Sequence, residues 1–249
     1  MYEATRRVET SVRTFCIVEH LNRAGPSRVS TIASDLEMTK GIVHNHLSTL
    51  RELGYVRKVD EQYQLSAKFL SLGHQIRTTS PLYRAAHDPL SSYAMRVDSD
   101  VALYGLAGRD AVVVDTHGPD ASTNIVVGTA HPLTECLAGI LILLAADEPE
   151  VSSETTYDLN RLASKLDADG YVVGRLSSKS PRSACGVPIT TDTGDCLGGL
   201  VVLAASDDAQ QDTIQRSILP LRERIERRLA EGEPTERTFA TEKHAWVDR

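Results

Sequence analysis

The chain is poor in cysteine, in lysine and in aromatic residues, and it has no long apolar run. Each shortage excludes something. A bilayer-spanning helix needs ~20 predominantly apolar residues, and the longest candidate, Leu137 to Ala146, is too short. The first residues are charged and show no signal-peptide core, so a cytoplasmic chain with no membrane partner is expected. The four cysteines (Cys16, Cys136, Cys185 and Cys196) make no Cys-x-x-Cys pair and have no histidine-rich companion. Reduced, mostly buried thiols are expected, with no metal and no cofactor. His44 and His46, spaced i, i+2, point to different faces of any helix and do not form a metal pair. There is no Ser-His-Asp order, no Gly-rich phosphate loop and no carboxylate pair with a clear role, so no enzyme is expected. The contrasting reading is a thiol-based redox enzyme or sensor, because a thiolate near a cation is nucleophilic. Internal repeats are also missing.

Acidic residues exceed basic ones by 34 to 27, and the net charge of −7 read as a whole argues against a polyanionic partner. The distribution argues otherwise. Residues 1–77 carry 11 Lys/Arg and 8 Asp/Glu, a net of +3, while the remainder carries 16 and 26. A basic head on an acidic body fits a DNA reader joined to something that does not touch DNA. The basic residues are 21 arginines and 6 lysines, and with abundant aspartate this bias is of the halophilic kind, though the total charge is modest.

The segment Val29 to Leu65 carries the strongest pattern. Val29, Ile32, Ala33 and Leu36 fall at i, i+3, i+4 and i+7, the stripe of a short helix. Glu37-Met38 make a tight turn, and Thr39 is placed to N-cap a second helix. That helix has Val43, Leu47, Leu50 and Leu53 on one face, and Gly54 stops it. Tyr55-Val56 and Tyr63-Gln64-Leu65 flank Asp60-Glu61-Gln62, a hairpin with a polar tip. Two short helices, a sharp turn and a basic hairpin form a device for setting a helix in the DNA major groove. Lys40, Gly41, His44, Asn45 and Ser48 occupy the other face of the second helix. Lys40 can reach a phosphate or a guanine, Asn45 can pair bidentately with adenine, and Ser48 can contact either kind of base. Arg57 and Lys58 on the hairpin can hold flanking phosphates. A small helical domain used for protein contacts is the plainer alternative.

A supporting helix is expected before the motif, with Val8, Val12, Phe15 and Val18 on one face and Ala24-Gly25-Pro26 ending it. After the hairpin, Ser66 to Thr78 reads as a helix with Phe69, Leu72 and Ile76 apolar. Ser80-Pro81 breaks it, and Leu82 to Val97 reads as another, interrupted near Asp88-Pro89. Strands are expected at Val101–Leu106, Ala111–Thr116, Asn124–Thr129, Tyr171–Leu176, Ala184–Thr190 and Leu197–Ala205. Buried or amphipathic helices are expected at Leu133–Ala146, Tyr157–Ala168 and Asp208–Ala230. Antiparallel strands with helices around them indicate an α+β domain. The arginine run Arg222 to Arg228 reads as a solvated helix face.

The runs "TIASDLEMTKGIVHNHLSTLRELGYV" and "YQLSAKFLSLG", followed by "HPLTECLAGILILLA", "DADGYVV" and "SACGVPITTDTGDCLGGLVVLAAS", resemble the IclR family of transcriptional regulators in order and spacing. The resemblance implies a winged helix-turn-helix over 1–66, a linker helix over 67–80 and a GAF-like effector-binding domain over 81–231. A polar, mobile tail over 232–249 is expected beside these. It implies a regulator whose affinity for a palindromic double-stranded operator is controlled by a small metabolite, as repressor or activator, and which assembles as a homodimer or homotetramer. A C-terminal half serving only for assembly is the alternative. Departures from the family pattern are visible. Glu37 stands at the turn glycine, and Lys40-Gly41-Ile42 opens the recognition helix in place of Lys-Ser-Thr. Gly41 admits a close backbone approach to the groove, and Ile42 can meet a thymine methyl. The resemblance places the effector loop at Leu137-Ala138-Gly139, with Leu137 in place of a glycine. It places the pocket wall at Cys185, Val202 and Ala204, with an acidic position near Val173–Gly174. His131 and Thr134 lie beside that loop and can bind an anion. So dry a wall suits an apolar ligand with one polar group.

Overall fold

Val43, Leu47 and Leu50, at helical spacing within Lys40–Glu52, anchor the core of the first of two units, Met1–Thr78; the second is Thr79–Arg249. The computed structural model describes residues 8–119, 125–146, 155–203 and 208–232. The expected tail, apart from its first residue, lies outside the described residues, as do Asn124, Ala204 and Ala205.

The first unit contains α1 (Glu9–Ala24), α2 (Val29–Asp35), α3 (Lys40–Glu52), the hairpin β1 (Val56–Val59) and β2 (Gln62–Leu65), and α4 (Lys68–Thr79). Val43, Leu47 and Leu50 of α3 pack with Ile32 and Ala33 of α2, with Val56 and Tyr63 of the hairpin, and with Ile17 and Leu21 of α1. The face of α1 that packs is thus Ile17–Leu21. Val8 and Phe15, expected in that stripe, are 67% and 63% exposed. They lie on the side of the helix turned from the three-helix core, which Ile17 and Leu21 already fill. Leu53 leaves the α3 stripe as well, because it is the C-cap and lies 47% exposed.

The second unit opens with α5 (Pro81–Val97), capped by Ser80, whose Oγ accepts from Tyr83 N at 3.4 Å. The helix does not break at Pro89 but runs through it. Pro89 is buried, as are Ala86, Leu90, Tyr93 and Ala94 of the same helix, and the packing of α5 on the sheet and α8 offsets the ~3 kcal/mol that an interior proline costs. A six-stranded antiparallel sheet follows in the order β5-β4-β3-β8-β7-β6. Its strands are β3 (Val101–Ala107), β4 (Asp110–His117), β5 (Ala130–Pro132), β6 (Val172–Arg175), β7 (Ser183–Thr190) and β8 (Cys196–Leu203). The third strand is therefore displaced from Asn124–Thr129 to Ala130–Pro132. Val126 to Thr129 forms a turn instead, with Thr129 N bonded to Val126 O at 3.0 Å, and Val126 is exposed.

The remaining helices are α6 (Leu137–Ala145), α7 (Leu159–Asp169) and α8 (Asp208–Glu231). Strand alternation sends side chains to two separate cores. Leu103, Cys185, Val187, Leu200 and Val202 pack with α5 and α8. Ala102, Tyr104, Val113, Ala184 and Val201 pack with α6 and α7. The α6 segment is buried from Leu137 to Leu143, as its unbroken apolar sequence requires. It is shorter than the apolar run: Leu133–Glu135 forms a 3-10 turn, and Cys136 then caps the helix through Sγ, which accepts from Gly139 N at 3.3 Å. The structure is mixed helix and antiparallel sheet with a helical head. Among the described residues, no helix is long and apolar enough to cross a membrane.

Candidate nucleic-acid interface and ligand site

The exposed face of α3 is built by the burial of its opposite side. Val43, Leu47 and Leu50 fix the rotation of the helix, and Lys40, Gly41, His44, Asn45 and Ser48 are left exposed, with Ile42 half-buried. Thr39 performs the cap read from the sequence: its Oγ1 accepts from Ile42 N at 3.3 Å. The turn before it is held by Met38 N, bonded to Ala33 O at 2.9 Å. Glu37 adopts φ 53°, a left-handed conformation that glycine takes without penalty.

The wing has the geometry its tip implies. Asp60 and Glu61 have φ 47° and 65°, the paired positive values of a two-residue type I′ turn, between strands in register from Val56↔Leu65 to Val59↔Gln62. Tyr63 is buried and joins Ser27 by two backbone bonds of 2.8 and 2.9 Å, which ties the wing to the start of α2. Arg57 is exposed. Lys58 is exposed too, but Nζ donates to both Glu61 oxygens at 2.8 and 2.9 Å, and its charge holds the Glu61 carboxyl below the usual range. Glu61 therefore competes with any phosphate for Lys58. An open groove of about 370 Å³ between α1 and α3 is lined by Thr10, Arg13, Thr14, Ile42, Asn45, His46 and Thr49. The sequence reading missed Thr10, Arg13, Thr14 and Thr49, since nothing local says that α1 runs beside α3. His46 faces this groove and shares a 2.8 Å bond with Thr14 Oγ1 through Nδ1.

In the second unit the expected ligand residues do not share one face. Leu137, Ala138 and Gly139 open α6 and pack with Ala184 and Val201. Cys185 and Val202 pair directly across β7 and β8 but point to the other face, toward α5 and α8. A one-residue change of register moves every side chain of a strand to the opposite face. The strand residues that meet α6 are accordingly Ala184, Val201 and Leu203. The amides near the helix start are also engaged: Leu137 N bonds Leu176 O at 3.0 Å, and Gly139 N bonds Cys136 Sγ. A Cβ on Gly139 would strike the Leu133 carbonyl, so glycine is needed there for the close packing of the preceding turn.

Polar groups on the α6 side gather around Tyr104, which is buried. The His131 ring lies 6.3 Å from the Tyr104 ring, and Tyr157 Oη donates to Arg175 O at 2.9 Å. Burial raises the Tyr104 and Tyr157 hydroxyls, with Cys136 adding to the effect in both, and burial lowers His131. Thr134 offers its carbonyl to Thr155 Oγ1 at 2.8 Å. Burial pushes the Cys136 thiol up to about 11 and the Cys185 thiol up to about 12. At such values both stay protonated near neutrality and are poor nucleophiles.

Residues 16–58 match the family model described as bacterial regulatory protein, arsR family. Over 131 residues the chain is 31% identical to the glycerol operon regulatory protein of Streptomyces griseus, a match covering 51% of this chain and 50% of that protein. The chain spans about half the length of other curated relatives of this kind as well. Among solved structures it is similar to an IclR transcriptional regulator from Alicyclobacillus acidocaldarius, with TM-score 0.72 and 18% identity, covering 90% of this chain and 99% of the other. It is also similar to an IclR homolog from Microbacterium hydrocarbonoxydans complexed with 4-hydroxybenzoate, with TM-score 0.69 and 19% identity, covering 90% and 100%. The chain thus has the fold of the IclR regulators, a winged helix-turn-helix followed by an antiparallel-sheet domain with helices on both faces.

Proposed function

We propose that this protein is a cytoplasmic, DNA-binding transcriptional regulator and not an enzyme. The observation that carries the reading is the exposed polar face of α3, held by a buried apolar face and flanked by a two-stranded wing in the basic unit. In this reading α3 enters the major groove. Asn45 and Lys40 read base edges, Ser48 and Ile42 add contacts, and Arg57 holds a flanking phosphate. One recognition helix reads too few base pairs for useful affinity. A homodimer on a palindrome, with half-sites about 34 Å apart or a multiple of that, meets the requirement. The apolar residues left exposed at α1 and α4 suit the interface: the N-cap Val8 and Phe15 at one, and Leu70 and Ile76 on the other, at 75% and 70% exposure.

The second unit then controls the head in response to a small molecule. We place the effector on the α6 side of the sheet, against Leu137, Ala138 and Ala184, with Tyr104, His131 and Tyr157 supplying the polar end. A mostly apolar ligand with one polar group fits that lining, and the 4-hydroxybenzoate held by one structural neighbour is of this class. The dense packing of Leu137, Ala138 and Val201 favours a second reading, in which this unit serves for assembly alone. Fragment competition with Asn45→Ala tests the DNA reading: affinity for the operator should fall by about 1–3 kcal/mol, with relaxed preference at one base step. Unchanged affinity and preference would remove Asn45 from the interface.

A further inference from the structure

We propose that His87, Asp115 and His117 form a binding site for one divalent transition-metal ion in the second unit, independent of the DNA reading. Asp115 is 1% exposed, and its Oδ2 receives both imidazoles: His87 Nδ1 at 2.8 Å and His117 Nε2 at 3.0 Å. The three ligand atoms lie within 4.8 Å of one another. They come from two elements, α5 and β4, and a local irregularity brings them together. The register of β3 against β4 shifts between Leu103 and Tyr104, so that Leu103 faces Asp115 while Tyr104 faces Val113. Val114 is the extra residue of a β-bulge. A bulge re-aims the side chains beyond it. Val113 packs on the α6 side, whereas Asp115 and His117 turn to the α5 side, where His87 stands.

The donor set selects the ion. Two imidazoles and one carboxylate suit zinc, cobalt or nickel better than the hard, oxygen-seeking calcium and magnesium. Bonds of about 2.0–2.1 Å in a tetrahedral site place ligand atoms roughly 3.3 Å apart. The Asp115–His distances need only open by a few tenths of an ångström, and the two rings need to close on one another. Each imidazole binds as the neutral form, with its proton moved to the nitrogen away from the ion. The two hydrogen bonds between the rings and Asp115 are thereby exchanged for three metal–ligand bonds. The buried carboxylate offsets part of the ionic charge.

Access is present. His117 stands in the wall of a cleft of about 410 Å³ that it shares with Ser91, Ala94, Met95, Asp98, Gly118 and Pro119. His87 is partly exposed, its ring 5.0 Å from that of His117 and 5.0 Å from that of Tyr83. The cleft leaves room for water in the coordination positions that the protein does not fill. A bound ion would pin α5 to β4.

Chelator-washed full-length protein titrated with zinc by calorimetry should take up one equivalent per chain with micromolar affinity or better. Cobalt in its place should give visible d–d bands without a thiolate charge-transfer band, which separates this site from the four cysteines. His117→Ala and His87→Gln should each weaken uptake at least tenfold, and the double variant should show none. His87 is the more exposed ring, so His87→Gln decides the matter if His117→Ala does not fold by circular dichroism. The proposal is overturned by absence of uptake in the unaltered protein, by equal uptake in a folded His87→Gln variant, or by a cobalt–thiolate band.

Discussion

Gly41→Ala separates stability from recognition at a single position. Gly41 is exposed in the first turn of α3, its backbone is helical, and an added Cβ meets nothing within 4 Å. In the free protein the methyl therefore costs nothing in packing. It removes conformational freedom from the unfolded chain and should stabilise by about 0.4–1 kcal/mol. For a chain of this size that is roughly 1–4 °C in melting temperature. In the proposed complex the same methyl would project from the exposed face of α3. If the backbone lies against DNA there, the operator should bind the variant at least tenfold more weakly, about 1.4 kcal/mol. Thermal melting of the full chain and a gel-shift or anisotropy titration on the operator give the two numbers. A variant that is more stable and binds equally well would refute the close approach at Gly41. A variant that is less stable would refute the open environment.

Glu37→Gly should raise stability by about 0.5–1 kcal/mol: it removes a left-handed strain of about 1–2 kcal/mol and returns part of it as unfolded-chain freedom; urea denaturation shows it, and an unchanged midpoint would count against the strain. Cys136 and Cys185 should resist a thiol reagent at pH 8 until the protein unfolds, because burial raises both thiols to about 11 and 12; rapid native labelling of either, read by peptide mass, would contradict the packing. Phe15→Glu with Ile76→Glu should turn a dimer at micromolar concentration into a monomer, as read by sedimentation, while far-UV circular dichroism stays the same; an unaltered sedimentation coefficient would place the interface elsewhere.

The head was legible because its signals are local. The 3.6-residue spacing of Val43, Leu47 and Leu50 fixes which face of α3 is buried, and the polar run Asp60-Glu61-Gln62 marks the tip of the wing, although Gln62 belongs to β2 and the turn is Asp60-Glu61 alone. Other features depended on tertiary packing. Proline predicts a break at residue 89, yet the buried face of α5 carries the helix through it. The segment Val126–Thr129 has strand composition but turns, so that only Gly128 N and Thr129 O reach Val113 of β4 and the strand itself begins at Ala130. The expected pocket wall illustrates the sharpest limit. Cys185 and Val202 of β7 and β8 pack toward α5 and α8, whereas Leu137 and Ala138 pack with Ala184 and Val201, so the residues read together from the sequence enter different cores. Hydropathy cannot correct this, since both faces are apolar. The His87–Asp115–His117 cluster was invisible for a related reason. His87 and Asp115 are 28 residues apart, and the bulge at Val114 decides which face Asp115 takes.

Selection of duplexes from fragmented genomic DNA by the full-length protein, repeated at two salt concentrations, tests the central claim most directly. The account predicts enrichment of a two-fold symmetric sequence with half-sites one helical turn, or a multiple, apart, and affinity that falls as salt rises. Recovery of no preferred sequence at either concentration would contradict it.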